Sequence, residues 1–91
     1  MDLMDEFLVV KFEGDNCGAC KAMEPVWKKL EEKNPDFEFV KVNVSEHRNL
    51  FEKYDIHAIP TFLTLENGKV KGKVIGITPE KTLQTLIDDL I

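Results

Sequence analysis

Cys17-Gly18-Ala19-Cys20 holds the only two cysteines of the chain. Two thiols three positions apart can close a small ring, so the pair can store two electrons as a dithiol or release them and become a disulfide. Phe7-Leu8-Val9-Val10-Lys11-Phe12, just upstream, reads as a short buried strand, and Lys21 to Lys33 downstream has helical composition and spacing. The pair therefore sits where a strand hands over to a helix, a setting that points to redox chemistry. A sulfur at the first turn of a helix is favoured as thiolate by the free amides and the dipole there, so Cys17 is the expected nucleophile. Cys20, one turn on, is the expected resolving thiol. Lys21 adds positive charge nearby and Asp15 opposes it. A zinc site would need four ligands, and His47 and His57 lack ligand spacing to the pair, so no metal is expected and both histidines are read as surface residues.

The elements around this motif belong to one small domain of 91 residues. Hydrophobic content of 43% and charged content of 32% are those of a globular protein in water. A net charge of −5 disfavours a nucleic-acid partner, which calls for a basic face. No stretch approaches the length of a membrane span. The start, Met1-Asp2-Leu3-Met4-Asp5-Glu6, lacks a basic region and is read as a solvated end rather than a signal peptide. These features suggest a cytoplasmic monomer.

Periodicity gives the order strand, helix, strand, helix, strand, strand, helix. The first helix is expected from Asn16 or Cys17 to Asn34, kinked at Pro25. Phe37 to Asn43 alternates apolar and polar residues, as a strand with one face in the core does. Ser45 is the expected N-cap of a short helix through Tyr54. Asn67-Gly68 between Thr61–Leu65 and Lys69–Ile75 signals a hairpin. Thr78-Pro79 reads as an N-cap followed by proline at the first helical position, with Leu83, Leu86, Ile87 and Leu90 forming the apolar face of the last helix. Strands one and two, joined through a helix, should be parallel. The fold class is thus α/β, a four-stranded mixed sheet in βαβαββα order with helices on both faces.

With these motifs the chain resembles the thioredoxin family. The residues that carry the resemblance are Cys17-Gly18-Ala19-Cys20-Lys21, Pro25, Lys41-Val42-Asn43, and Tyr54-Asp55-Ile56-His57-Ala58-Ile59-Pro60-Thr61. Asn67-Gly68 and the glycine of Val74-Ile75-Gly76 complete the set. The resemblance implies a cis Ile59–Pro60 bond, which only proline makes cheap enough to keep. It also implies that Ile59, Pro60 and Gly76 bind substrate beside the sulfurs. The implied activity is protein-disulfide reduction through the Cys17–Cys20 pair, with no other cofactor. The implied partners are disulfide-containing proteins, with recycling by a nicotinamide-dependent flavoprotein reductase or a low-molecular-weight thiol.

The chain departs from that family's usual pattern in four places. Sixteen residues precede Cys17, which implies a sheet trimmed to four strands. Asn16 stands where the family usually has tryptophan, and the dipeptide is Gly-Ala rather than Gly-Pro. Lys11 replaces the aspartate usually buried behind the second cysteine. Strand alternation puts Val9, Lys11 and Glu13 on one face and Leu8, Val10 and Phe12 on the other. Lys11 could then act as a neutral base, steady a thiolate as a cation, or snorkel to water. Glu13, nearer to Cys17 along the strand, is the favoured candidate for proton transfer, ahead of Lys11. Lys41 is read as a solvated strand residue and Trp27 as core. The chain also resembles glutaredoxins in size and strand order, but Val74-Ile75-Gly76-Ile77-Thr78-Pro79 lacks their Gly-Gly pair and following carboxylate. A binding or adaptor domain on the same fold is the remaining alternative, and retention of both cysteines weighs against it.

Overall fold

Alternation along the first strand divides its apolar side chains between two cores, one on each face of the sheet. The structure, a computed structural model, describes residues 3–90. The chain forms β1 (Phe7–Glu13), α1 (Gly18–Ala22), α2 (Glu24–Lys33), β2 (Glu38–Asn43), α3 (Arg48–Lys53), β3 (Thr61–Glu66), β4 (Lys69–Ile75) and α4 (Glu80–Asp88). The strands lie in the order β2-β1-β3-β4. β1 runs parallel to β2 and antiparallel to β3, and β3 and β4 form the expected hairpin. Leu8, Val10 and Phe12 pack with Leu50 and Phe51 of α3 and with Ile56. Val9 points the other way, to Trp27 and Leu30 of α2 and Leu83 and Ile87 of α4.

β2 contributes to both cores rather than to one. Val42 and Val40 join the α3 side, whereas Phe39 meets Trp27 edge to face at 5.2 Å and Phe37 meets Phe7 at 5.8 Å. The aromatics of this segment occupy positions that a simple apolar–polar alternation assigns to the same face as Lys41.

Pro25 divides the first helix instead of bending it. Without an amide donor it cannot continue a helix interior, but it fits the first turn of a new one. The Met23 amide is shared between the Ala19 and Cys20 carbonyls, and the Met23 carbonyl then accepts from Trp27 at 2.9 Å, starting α2. Two caps also move. Ser45 bonds back to the Asn43 side chain through both its amide and its hydroxyl, and α3 begins only after His47. Pro79 is the N-cap of α4, while the Thr78 hydroxyl turns back to the Gly76 carbonyl at 3.0 Å.

The N-terminal segment is anchored rather than solvated. Leu3 is buried in the α3-side core, and Met4 lies over the hairpin, where its sulfur occupies the space a side chain at Gly68 would need. Gly68 and Asn67 both have positive φ, 83° and 51°, as a tight hairpin turn demands. Met1 and Asp2 lie outside the described residues. On the outer edge of the sheet Lys69, Lys71 and Lys73 are exposed, and Lys71 is the extra residue of a bulge between the Thr64–Gly72 and Leu65–Val70 pairs. Among the described residues no helix is long and apolar enough to cross a membrane.

Phe12 is fully buried and stacks edge to face on Phe51 at 5.1 Å. Phe12→Ala is expected to cost about 3–5 kcal/mol in urea unfolding. Ile77→Ala, at a 70% exposed position, should stay within about 0.5 kcal/mol of the parent.

Candidate active site

The sheet register gathers the chemistry at one end. Phe12 pairs with Thr61 and Thr61 with Ile75, so the loop after β1, the residues before β3 and the turn after β4 emerge side by side. Gly14 lets the first loop approach the second. A Cβ there would stand 2.9 Å from Ile59 Cδ1 and 3.3 Å from Val44 Cγ1. Asn16 then takes a left-handed conformation, φ 55°, which asparagine tolerates better than most side chains and which turns the chain into α1. Asn43 on β2 donates to Asp15 at 3.2 Å and holds this loop.

Cys17 is the N-cap of α1, and its sulfur accepts the Cys20 amide at 3.1 Å. The two cysteines are joined as a disulfide, with Cα atoms 5.2 Å apart. Cys17 is half-buried, whereas Cys20 is buried at 4% exposure. The Ile59–Pro60 bond is cis, as the resemblance implied. The Pro60 carbonyl accepts the Gly76 amide at 2.8 Å, tying the second and third loops together, and the Thr78 amide reaches the Met23 sulfur behind α1. An apolar groove of about 230 Å³ runs beside Ile59, lined also by Val44, Phe51, Ile56 and Ala58. Ile75 and Ile77, on either side of Gly76, are 58% and 70% exposed.

Lys11 does not reach water. It is fully buried, so the snorkelling alternative is excluded. Its ammonium donates to the Cys20 carbonyl at 2.8 Å and to Glu24 Oε1 at 2.8 Å, and it lies 3.1 Å from Glu13 Oε1. Two carboxylates and a carbonyl thus surround it, an arrangement that suits a cation. Lys41 is not simply solvated either. Although 41% exposed, it binds both oxygens of Glu24, at 2.9 and 2.7 Å. A cleft of about 380 Å³ brings Glu13, Glu24, Asp15 and Lys21 to the same wall as the two cysteines.

Glu24 is the residue that reading the sequence missed. Burial raises its carboxyl pKa, but hydrogen bonds and charge from Lys11 and Lys41 outweigh burial and bring it below the usual carboxylate range. The signal available was its place four residues after Cys20. His57 is exposed beside Asp55, and His47 is half-buried at the start of α3. Among the described residues no group of three or more histidine, cysteine, aspartate or glutamate side chains is arranged to hold a metal.

The Glu24 carboxyl is more acidic folded than unfolded. Its share of stability is therefore complete above the unfolded value of about 4.5 and is lost as pH falls through the lower folded one. Urea unfolding from pH 7 to 3 should show a steeper loss of stability in the parent than in Glu24→Gln.

The thioredoxin family model matches residues 2–89. A thioredoxin of Mycoplasmoides gallisepticum is 34% identical over 80 residues, covering 88% of this chain and 80% of the relative. Thioredoxin-1 of Saccharomyces cerevisiae is 35% identical over 82 residues, covering 90% of this chain and 80% of the relative. The solved structure of the reduced Schistosoma mansoni thioredoxin pre-protein superposes with a TM-score of 0.87 at 36% identity, covering 98% of this chain and 83% of that one. With the joined cysteines and the cis proline at one end of a four-stranded sheet, these likenesses assign the chain to the thioredoxin family.

Proposed function

We propose that this chain reduces protein disulfides, with Cys17 as the attacking sulfur and Cys20 as the resolving one. Family and joined cysteines make it a thiol–disulfide oxidoreductase; the direction of transfer and the division of roles are what we add. The observation that carries the division is the contrast between the two sulfurs. Cys17 is reachable and accepts the Cys20 amide, whereas Cys20 is buried behind it. An amide donated to sulfur favours its thiolate, and the thiolate is the nucleophile.

In the first step the Cys17 thiolate attacks one sulfur of a substrate disulfide. A bond forms between Cys17 and that sulfur, and the other leaves as a thiolate. The Cys20 thiol then loses its proton, and its sulfur attacks Cys17. The second substrate thiolate leaves and the Cys17–Cys20 bond forms. Two electrons pass to the substrate, and the chain must be reduced again by a dithiol from a flavoprotein reductase or by a low-molecular-weight thiol. Glu13 is the acceptor we assign to the Cys20 proton. It lines the cleft with both cysteines, is 21% exposed, and contacts Lys11 through one oxygen only. Lys11, which donates to the Cys20 carbonyl and to Glu24 and is paired with Glu13, is assigned no proton transfer.

The substrate side is apolar. Ile59, Pro60 and Gly76, with the groove beside Ile59 and the exposed Ile75 and Ile77, suit an extended peptide segment carrying the target disulfide. A glutathione-dependent reading is less well supported. The first carboxylate after Gly76 is Glu80, and Lys33 already holds it at 2.6 Å. A dithiol that must be kept reduced fits a reducing compartment, which is the basis for placing it in the cytoplasm.

Cys17→Ser should abolish reduction of a disulfide protein, and Cys20→Ser should accumulate a mixed disulfide through Cys17, read by mass spectrometry. Equal trapping through Cys20 in the converse variant would overturn this division of roles. A reduction potential near about −270 mV is expected for a reductant, and one near about −120 to −180 mV would make the chain an oxidant or isomerase.

A further inference from the structure

Four charges lie in one connected cluster behind the resolving cysteine, and they sum to zero. Lys11 and Glu13 come from β1, Glu24 from the first turn of α2 and Lys41 from β2. The cluster touches the cysteine motif at one point, the hydrogen bond from Lys11 to the Cys20 carbonyl at 2.8 Å. The other charged groups on this wall are Asp15, already engaged by Asn43, and Lys21 on α1. Lys11 is fully enclosed, so its charge acts through little intervening water, while Lys41 at 41% exposure is screened.

We propose that Lys11 and Glu24 are opposed positioning residues that set how readily Cys20 ionises. The inference rests on Cys20 being the resolving sulfur. Lys11 favours the Cys20 thiolate by placing a fixed cation beneath its backbone. Glu24 holds that ammonium in place through Oε1 and offsets part of its field, and is itself shared with Lys41. The arrangement puts the buried charge on the sheet as a cation and its counter-charge at the start of α2, the helix that follows the one carrying Cys20. Removal of Lys11 leaves the cluster with a net charge of −1, and removal of the Glu24 charge leaves it at +1. The two changes must therefore move Cys20 in opposite directions, whereas loosened packing would move it the same way in both.

The experiment is a pH titration of Cys20 by thiolate absorbance in the Cys17→Ser background, with Lys11→Met and Glu24→Gln added singly. At fixed pH on the rising limb, Lys11→Met should lower the thiolate fraction about tenfold and Glu24→Gln should raise it severalfold. Lys41→Met, at an exposed position where folding is not at stake, should act in the sense of Lys11→Met but more weakly. Its result decides the matter if Lys11→Met does not fold. Shifts of the same sign in Glu24→Gln and either lysine variant, or no shift beyond about twofold, would overturn the proposal. A disulfide-reduction assay of the same substitutions with Cys17 intact separates the two readings. Opposed titration shifts in a chain that reduces nothing would remove the reductase reading alone. Normal reduction with an unmoved titration would remove this one alone.

Discussion

A charged amine with no exposed surface must be paired inside the protein, and this requirement at Lys11 organises the site. Leaving such a group unpaired costs several kcal/mol, so its partners constrain where their own elements can lie. The Cys20 carbonyl fixes α1 over the end of β1. Glu24 fixes the start of α2, and through Lys41 it adds a tie from that helix to the neighbouring strand. The break at Met23 belongs to the same geometry. Because Pro25 starts a new helix, Glu24 falls at the first residue of α2 rather than inside a continuous one, and its carboxylate turns back toward the sheet.

Much of the architecture was legible because it rests on local rules. The alternation of Leu8, Val10 and Phe12 against Val9 and Lys11 correctly separates the two faces of β1, and Asn67-Gly68 marks the hairpin. The misplacements have local competitors. Ser45 is a good cap in isolation, but the Asn43 side chain two residues earlier captures both its amide and its hydroxyl. Thr78 likewise spends its hydroxyl on Gly76. Phe37 and Phe39 were assigned no core of their own, because alternation tells which residues share a face and not whether a second layer covers it.

The cysteines and the cis proline were legible from motif and resemblance, since their chemistry restricts residue type and spacing. The charge cluster was not. Lys11, Glu13, Glu24 and Lys41 come from three elements, and no spacing in one dimension brings them together. A lysine on an otherwise apolar strand can snorkel or be enclosed, and the partners that enclose this one come from elements distant in sequence.

β4 closes one side of the sheet, and its outward backbone groups are a ready template for another strand. Lys69, Lys71 and Lys73 stand along it, and the bulge at Lys71 interrupts its regular pairing. A second chain adding there would have to bring its own backbone alongside three ammonium groups and follow an irregular edge. In a chain with a net charge of −5, a quarter of the twelve basic residues are gathered on this one strand. The strand thereby disfavours the edge-to-edge sheet growth that leads to fibrils.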